Sequence, residues 1–359
     1  MRKEILFSHF PKLTFHRSQQ LLSAFGSYDT AWSVGGAQLK QAGWDEGLVQ
    51  EFVSWRDTVD EKKIEASLAA EGIRCVLTTD KEYPELLKQI YDPPLALFVR
   101  GELTMRSPAL AVVGTRAFSP YGKQVTEELV RDLAGAGLTI VSGLAMGIDG
   151  MAHGATLDAQ GKTVAVLGTG IDRQHVYPAA HKQLAEKIIA SGGAVISEYP
   201  PGSLPTAYSF PRRNRIIAGM CLGTLVVEAG ESSGALITAQ SSLDNGREVF
   251  AIPQNITSPT SVGVNNLLKM GAKVITSAND ILEALNLKTL QTTDQAEPVK
   301  ADSPTEAKIL AQMSRLAVHI DELIKRSELP SHVVNGTMTL MEMKGKVKNL
   351  GGMMYVLAR

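Results

Sequence analysis

A doubly wound α/β domain with a mainly parallel sheet is the fold class this sequence predicts. A small helical module precedes it, and three helices with a hairpin follow it. Three observations carry that reading. Short, β-branched apolar runs recur from about residue 108, with helical stretches between them. The runs are almost continuously apolar, as parallel strands covered on both faces are. A polar stretch rich in Thr, Gln, Asp and Glu then divides them from a last set of helical patterns. A chain of 359 residues has room for roughly two to three such units.

Residues 1–58 read as short helices with glycine-bearing turns, among them Leu21–Ser27 and the segment around Leu39, Ala42 and Gly43. Helix-hairpin-helix and SAM-like units look like this, and so does a plain packing appendage. The central unit is expected over 59–287. It opens with a helical stretch from Glu61 to Glu71 and a strand at Ile73–Leu77. Pro93 and Pro94 then break the helical pattern, and the apolar run behind them, Leu95–Val99, is a second strand. The regular strands follow at Leu110–Val113, Leu138–Val141, Val164–Leu167, Ala194–Ser197, Thr224–Val227 and Glu248–Ile252, with an edge strand at Lys273–Thr276. The polar segment 288–304 reads as a linker. In 305–359, helices are expected at Thr305–Met313, His319–Ser327 and Pro330–Met343. Strands on either side of Gly351-Gly352 then complete a winged-helix pattern. Its third helix carries no arginine and only Lys344 at its end, which argues against base readout and for packing or partner contact.

The 36 basic and 37 acidic residues leave a net charge of −1, so binding of a polyanion has to come from a local patch. Such a patch stands at Phe210-Pro211-Arg212-Arg213-Asn214-Arg215. Guanidinium forks suit phosphate oxygens, and Pro211 suits the first turn of a helix whose N-terminus favours anions. Three strand ends of the same domain carry glycine: Gly114-Thr115-Arg116, Ser142-Gly143-Leu144-Ala145 and Gly168-Thr169-Gly170. Glycine lets backbone N–H groups approach an anion, and the carboxyl ends of strands are where open α/β sheets bind ligands. One shared anionic ligand explains the recurrence.

Several classes are disfavoured. The dinucleotide fingerprint is missing after the first strand of the regular series. Gly161-Lys162-Thr163 imitates a P-loop, but Thr156 stands where an earlier glycine is required and the triplet precedes its strand. Gly230-Glu231-Ser232-Ser233-Gly234 matches a nucleophile elbow, yet the later histidines, His319 and His332, lie beyond the linker. Ser232 and Ser233 are instead expected to cap a helix, with Gly234 closely packed. No catalytic residue, metal site or cofactor is expected. His153 is expected to pack in a helix, His175 and His181 to lie on the surface, and Asp149 and Asp172 to cap helices or stiffen loops. Cys75 and Cys221 form no metal motif. With no signal-peptide core and no membrane-length apolar run, the expectation is cytoplasmic and free of membrane.

These residues together resemble the DNA-processing protein A family (DprA, also called Smf). The resemblance rests on Asp92-Pro93-Pro94, Val113–Arg116, Ser142–Ala145 with Gly147-Ile148-Asp149, Ser197–Gly202, Phe210–Gly219, Val227-Glu228-Ala229 with Ser233-Gly234, and Gly246–Ala251. The motifs run in order over roughly 83–285, with Pro253-Gln254 where the family usually has Pro-Gly. The resemblance implies a Rossmann-like fold that binds single-stranded DNA without sequence preference, forms homodimers and helps load RecA recombinase in natural transformation. It implies phosphate contacts from Arg116, Lys182 and the arginines of 210–215, and no enzymatic activity. Phe210, Phe118 and Tyr208 are the stacking candidates. Glu198 and Glu228 are the acids expected to engage one of the arginines. An alternative of another class rests on Gly223-Thr224 with Glu228, reminiscent of Rossmann-like enzymes that cleave the base–ribose bond of nucleotides.

Overall fold

The computed structural model describes residues 1–287, 301–313 and 318–357. Five helices open the chain: α1 (Lys3–Ser8), α2 (Phe15–Phe25), α3 (Tyr28–Ser33), α4 (Gly36–Gln41) and α5 (Glu46–Asp57). Thr14, Ser27 and Asp45 cap α2, α3 and α5 through side-chain oxygens, which ends each intervening turn sharply. The module's core is aromatic. Phe7 stacks on Phe52 at 5.4 Å, and Trp32, Trp44 and Trp55 surround that pair. This concentration of rings lets so short a segment bury enough apolar area to hold five helices.

The central unit follows with α6 (Glu61–Ala70), β1 (Arg74–Leu77), α7 (Glu85–Lys88), β2 (Ala96–Gly101), β3 (Ala109–Val113), α8 (Pro120–Gly135), β4 (Thr139–Ser142), α9 (Ile148–Asp158) and β5 (Thr163–Leu167). It continues through α10 (Lys182–Ala190), β6 (Ala194–Ser197), α11 (Ser209–Gly219), β7 (Gly223–Val226), α12 (Gly234–Asp244), β8 (Glu248–Ala251), α13 (Val262–Lys269), β9 (Lys273–Val274) and α14 (Ala278–Ala284). All nine strands form one sheet in the order β1-β2-β6-β5-β4-β3-β7-β8-β9. From β6 to β9 every pairing is parallel, whereas β1 and β2 join antiparallel at one edge.

The apolar runs explain the double cover. Along β3, Ala109, Ala111 and Val113 face one core with Ile216 and Ile217 of α11 and Ala239 of α12. Leu110 and Val112 face the other, with Leu129 and Leu133 of α8 and Ala152 of α9. A strand with period-2 side chains and apolar residues on both faces fits only between two helical layers.

The C-terminal unit consists of α15 (Pro304–Leu310), β10 (Val318–His319), α16 (Ile320–Ser327), α17 (Ser331–Met343), β11 (Val347–Gly351) and β12 (Met354–Leu357). Its three strands pair in the order β10-β12-β11, forming a winged helix around Leu323, Val334, Met338 and Met341. The wing rests on α8: the Lys123 ammonium donates to the Leu350 carbonyl at 3.0 Å, and Lys348 pairs with Glu127. The expected linker 288–304 lies outside the described residues over 288–300. Among the described residues no helix is long and apolar enough to cross a membrane.

Candidate nucleic-acid interface

The strand order creates the site. From β3 the chain lays β4, β5 and β6 to one side, then crosses back to place β7, β8 and β9 on the other. The turns after β3 and β7 therefore leave in opposite directions, and a crevice opens at the carboxyl ends between them. A cleft of about 550 Å³ stands there. Its walls are the turn 114–117, the first turns of α11, and the segment 230–238 that leads into α12.

The glycine loops give this cleft its shape more than its hydrogen-bond donors. The Thr115 N–H donates to the Glu228 carbonyl at 2.7 Å, the Gly143 N–H to Asp149 Oδ2 at 3.1 Å and the Gly170 N–H to the Ser203 carbonyl at 3.0 Å. The expectation that these loops present free amides is corrected for those three residues, because folding has already satisfied them. Ser142 donates to the Val112 carbonyl at 2.6 Å, Thr169 to the Gly170 carbonyl, and Leu144 is fully buried, so this layer lies behind the surface. Two glycines have a steric cause. Gly147 sits at φ +83°, where a Cβ would also lie 2.4 Å from the Thr115 carbonyl oxygen, and a Cβ on Gly143 would meet the Arg213 guanidinium at 2.6 Å.

The three arginines of α11 diverge. Arg213 is buried and turned inward, donating to the Gly143 carbonyl at 2.6 Å and to the Val166 carbonyl. Burial pushes its guanidinium down to about 10, opposed by Asp149, so it stays charged at neutral pH. Burial likewise pushes the Asp149 carboxyl upward, against the pull of Arg213. Arg215 pairs with Glu198 at 2.5 Å and Asp92 at 3.3 Å, and Arg212 with the same two acids at 3.4 and 3.8 Å. Glu228 takes none of them: it is buried and accepts from the Ser119 N–H and hydroxyl at 2.9 and 2.5 Å. Asn214 bridges two walls, accepting from Arg213 and donating to the Gly234 carbonyl at 3.2 Å.

Two further basic residues were expected to contact phosphate. Arg116 is exposed on the cleft wall and makes no ion pair among the described residues. Lys182 is half-buried, its ammonium donating to the Gln174 carbonyl at 2.9 Å. Beside Arg116, the rings of Tyr177 and Phe210 meet at 5.5 Å and line a smaller recess with Met146. Tyr177 is 44 % exposed, a candidate stacking surface that sequence reasoning missed. Its one local signal was an aromatic before a proline in a loop. Phe118 and Tyr208 are exposed as stacking requires.

The histidines and the decoys resolve differently. His153 is fully buried in α9 and bonded to Thr163 at 2.7 Å, as packing requires, and burial holds its ring down to about 3. His175 and His181 are half-buried at the surface and both engaged: the first pairs with Asp172, and the second bonds the Leu144 carbonyl at 2.8 Å. Asp149 and Asp172 stiffen loops, the latter accepting from the Gly202 N–H at 2.8 Å. Ser233 caps α12, but Ser232 is exposed and Gly234 faces open space instead of packing closely. No histidine lines the cleft to serve Ser232 as a base. Thr224 is spent on Ser242 at 2.6 Å, so neither it nor Glu228 faces a ligand.

The winged helix spends the two lysines after α17 on acids. Lys344 and Lys346 each pair with both Asp302 and Glu306 at 2.7–3.1 Å. Lys344 and then Lys346 hold the Asp302 carboxyl down to about 2, and Lys346 and the Asp302 N–H do the same for Glu306. The exposed face of α17 carries Asn335, Thr339, Leu340 and Met343.

Comparison with known proteins agrees along most of the chain. Residues 74–286 match the family of DNA recombination-mediator protein A, and 293–353 match the DprA winged helix domain. The chain is 43 % identical over 234 residues to the DNA processing protein DprA of Bacillus subtilis, covering 65 % of this chain and 78 % of that one. It is 44 % identical over 256 residues to Protein Smf of Escherichia coli, covering 70 % and 67 %. The structure resembles DNA processing protein A from Streptococcus pneumoniae at 38 % identity and TM-score 0.68, over 79 % of this chain and 98 % of that one. It also resembles DNA processing protein A from Helicobacter pylori, for which a single-stranded DNA binding mode is described, at 28 % identity and TM-score 0.53, over 60 % and 95 %.

Proposed function

The chain belongs to the family of DNA recombination-mediator protein A (DprA/Smf), and from that premise and the cleft we propose that it binds single-stranded DNA in transformation and recombination. The observation that carries the reading is Arg116. It is an exposed, unpaired guanidinium at the switch point, next to the Tyr177–Phe210 ring pair. A phosphate held by Arg116 leaves its base free to stack on an aromatic face, and stacking tolerates any base. Lys182 joins by giving up a single carbonyl contact. Gly114, Thr115, Ala145 and Asn214 shape the cleft wall. Ser142, Gly143, Leu144, Gly168, Thr169 and Gly170 support it from behind, and Arg213 lines the cleft while its guanidinium braces that layer.

A binder is favoured over the base–ribose-cleaving alternative, because Thr224 and Glu228 of that alternative are consumed in the fold. Its partners are RecA recombinase, delivered to the bound strand, and a second copy of the chain. The β9 edge, where Met270 and Val274 are exposed, offers unpaired backbone and apolar surface for such a contact. The place of action is the cytoplasm. The division into units at 1–58, 59–287 and 305–359 is part of this reading, supported by the separate aromatic and winged-helix cores.

The test is a titration of a dT oligonucleotide across salt concentrations. Arg116→Ala should weaken binding about tenfold and flatten the log–log salt slope by about 0.7, the share of one released counterion on a single strand. Parent-like affinity and slope would place the strand elsewhere.

A further inference from the structure

We propose that Asp92, Glu198, Arg212 and Arg215 form a neutral positioning quartet that anchors α11 to the residues before β2, and that Arg212 and Arg215 act on the strand only through α11. The proposal rests on the single-stranded DNA reading above and assigns a different task to residues of the same helix. Phe210, Pro211, Arg213, Asn214 and Ile217 of α11 line the cleft. Arg212 and Arg215 do not, and their spacing puts them on another face of the helix. There they meet two carboxylates, so two positive and two negative charges cancel. The side chains of Arg215 and Glu198 are only 14 % and 16 % exposed. A phosphate approaching this pair would meet the Glu198 carboxylate as well as the guanidinium, so charge repulsion opposes the contact that the arginine run invites.

The same face of α11 is held at its other end by close packing. A Cβ on Gly219 would lie 2.7 Å from Ile90, which precedes Asp92 by two residues. The Asp92 loop is itself tied down by the buried Tyr83 hydroxyl, which donates to the Pro94 carbonyl at 2.7 Å. Glu198 and Arg212 also line a cavity of about 180 Å³ closed by the α1–α2 turn at His9, Phe10 and Leu13. The N-terminal module thus abuts the quartet, and the quartet sets the helix that shapes the cleft.

The experiment compares Glu198→Gln, Arg215→Ala and Arg215→Lys in the full chain, each with a parent-like far-UV spectrum, in the same dT titration. If the quartet positions α11, each variant weakens binding about three- to tenfold with an unchanged salt slope, and Glu198→Gln with Arg215→Ala together is no worse than either alone. Glu198→Gln is the sharpest arm, since it adds net positive charge and should still weaken binding. Tighter binding by Glu198→Gln would overturn the proposal. So would full retention of affinity by Arg215→Lys, or a slope flattened by Arg215→Ala as by Arg116→Ala. Hydrogen exchange of the α11 amides over 213–219 gives a reading without DNA. Faster exchange in Glu198→Gln and Arg215→Lys supports the quartet, and parent-like rates overturn it. A failure of the DNA reading itself appears separately, as an Arg116→Ala variant that binds like the parent.

Discussion

The cleft of the central sheet and the winged helix both sit on folds suited to nucleic acid, and both carry clustered basic residues. In the winged helix Lys344 and Lys346 face Asp302 and Glu306, and Lys348 faces Glu127. In the cleft Arg212 and Arg215 are answered by Asp92 and Glu198, but Arg116 is left to solvent beside two aromatic rings. Five paired cations contribute little field at a distance, and one unpaired cation at a switch point sets the local potential. Counting arginines and lysines therefore misplaces the interface; within the cleft, exposure and the lack of a carboxylate partner among the described residues together single out Arg116.

The largest effect that would sharpen the comparison is on stability. Arg213→Ala removes the guanidinium that satisfies two buried carbonyls and leaves Asp149 buried without its counter-charge. Its unfolding free energy in urea should fall by about 3 kcal/mol. An unchanged midpoint would mean that the cleft wall does not depend on this inward arginine.

A smaller effect separates the two regions by binding. Tyr177→Ala should cost about 1 kcal/mol of dT-oligonucleotide affinity with no change in salt slope, because stacking releases no counterion. Met343→Ala on the exposed face of α17 should leave the affinity at the parent value. Equal losses from both would break the distinction between a DNA-binding cleft and a winged helix whose α17 face takes no part.

The smallest effect concerns pH. Asp302 and Glu306 titrate lower in the folded chain than in the unfolded one, so their ion pairs stabilise the winged helix above the usual carboxylate range. That contribution is lost as pH falls from about 4.5 towards 2, since the unfolded chain then binds more protons. Calorimetry over that range should show the winged-helix transition descending in the parent and less steeply in Glu306→Gln. Parallel descents would show that these pairs add nothing.

Much of the architecture was legible. Every apolar run of the regular series became a strand within a residue or two, since a buried strand needs apolar residues on both faces and little else in the chain supplies them. The arginine-bearing helix followed from Pro211 in its first turn, and the winged-helix pattern from three helical stretches and the Gly351-Gly352 turn. The antiparallel edge of β1 and β2 was not legible, because pairing direction depends on where the chain re-enters the sheet. Tyr177 was missed for a similar reason: it is an ordinary loop aromatic until α11 brings Phe210 against it.

By itself the sequence determined the layered α/β class, the position of the strand ends and the identity of the residues gathered there. Those properties depend on local pattern and on motifs read in order. Only the tertiary structure decided which arginine is free. Asp92 and Glu198 stand far from Arg215 along the chain and meet it only once β2, β6 and α11 are packed together. Charge pairing is a short-range property of the folded surface, so a run of arginines states a supply of positive charge, and the fold decides how much of it reaches the solvent.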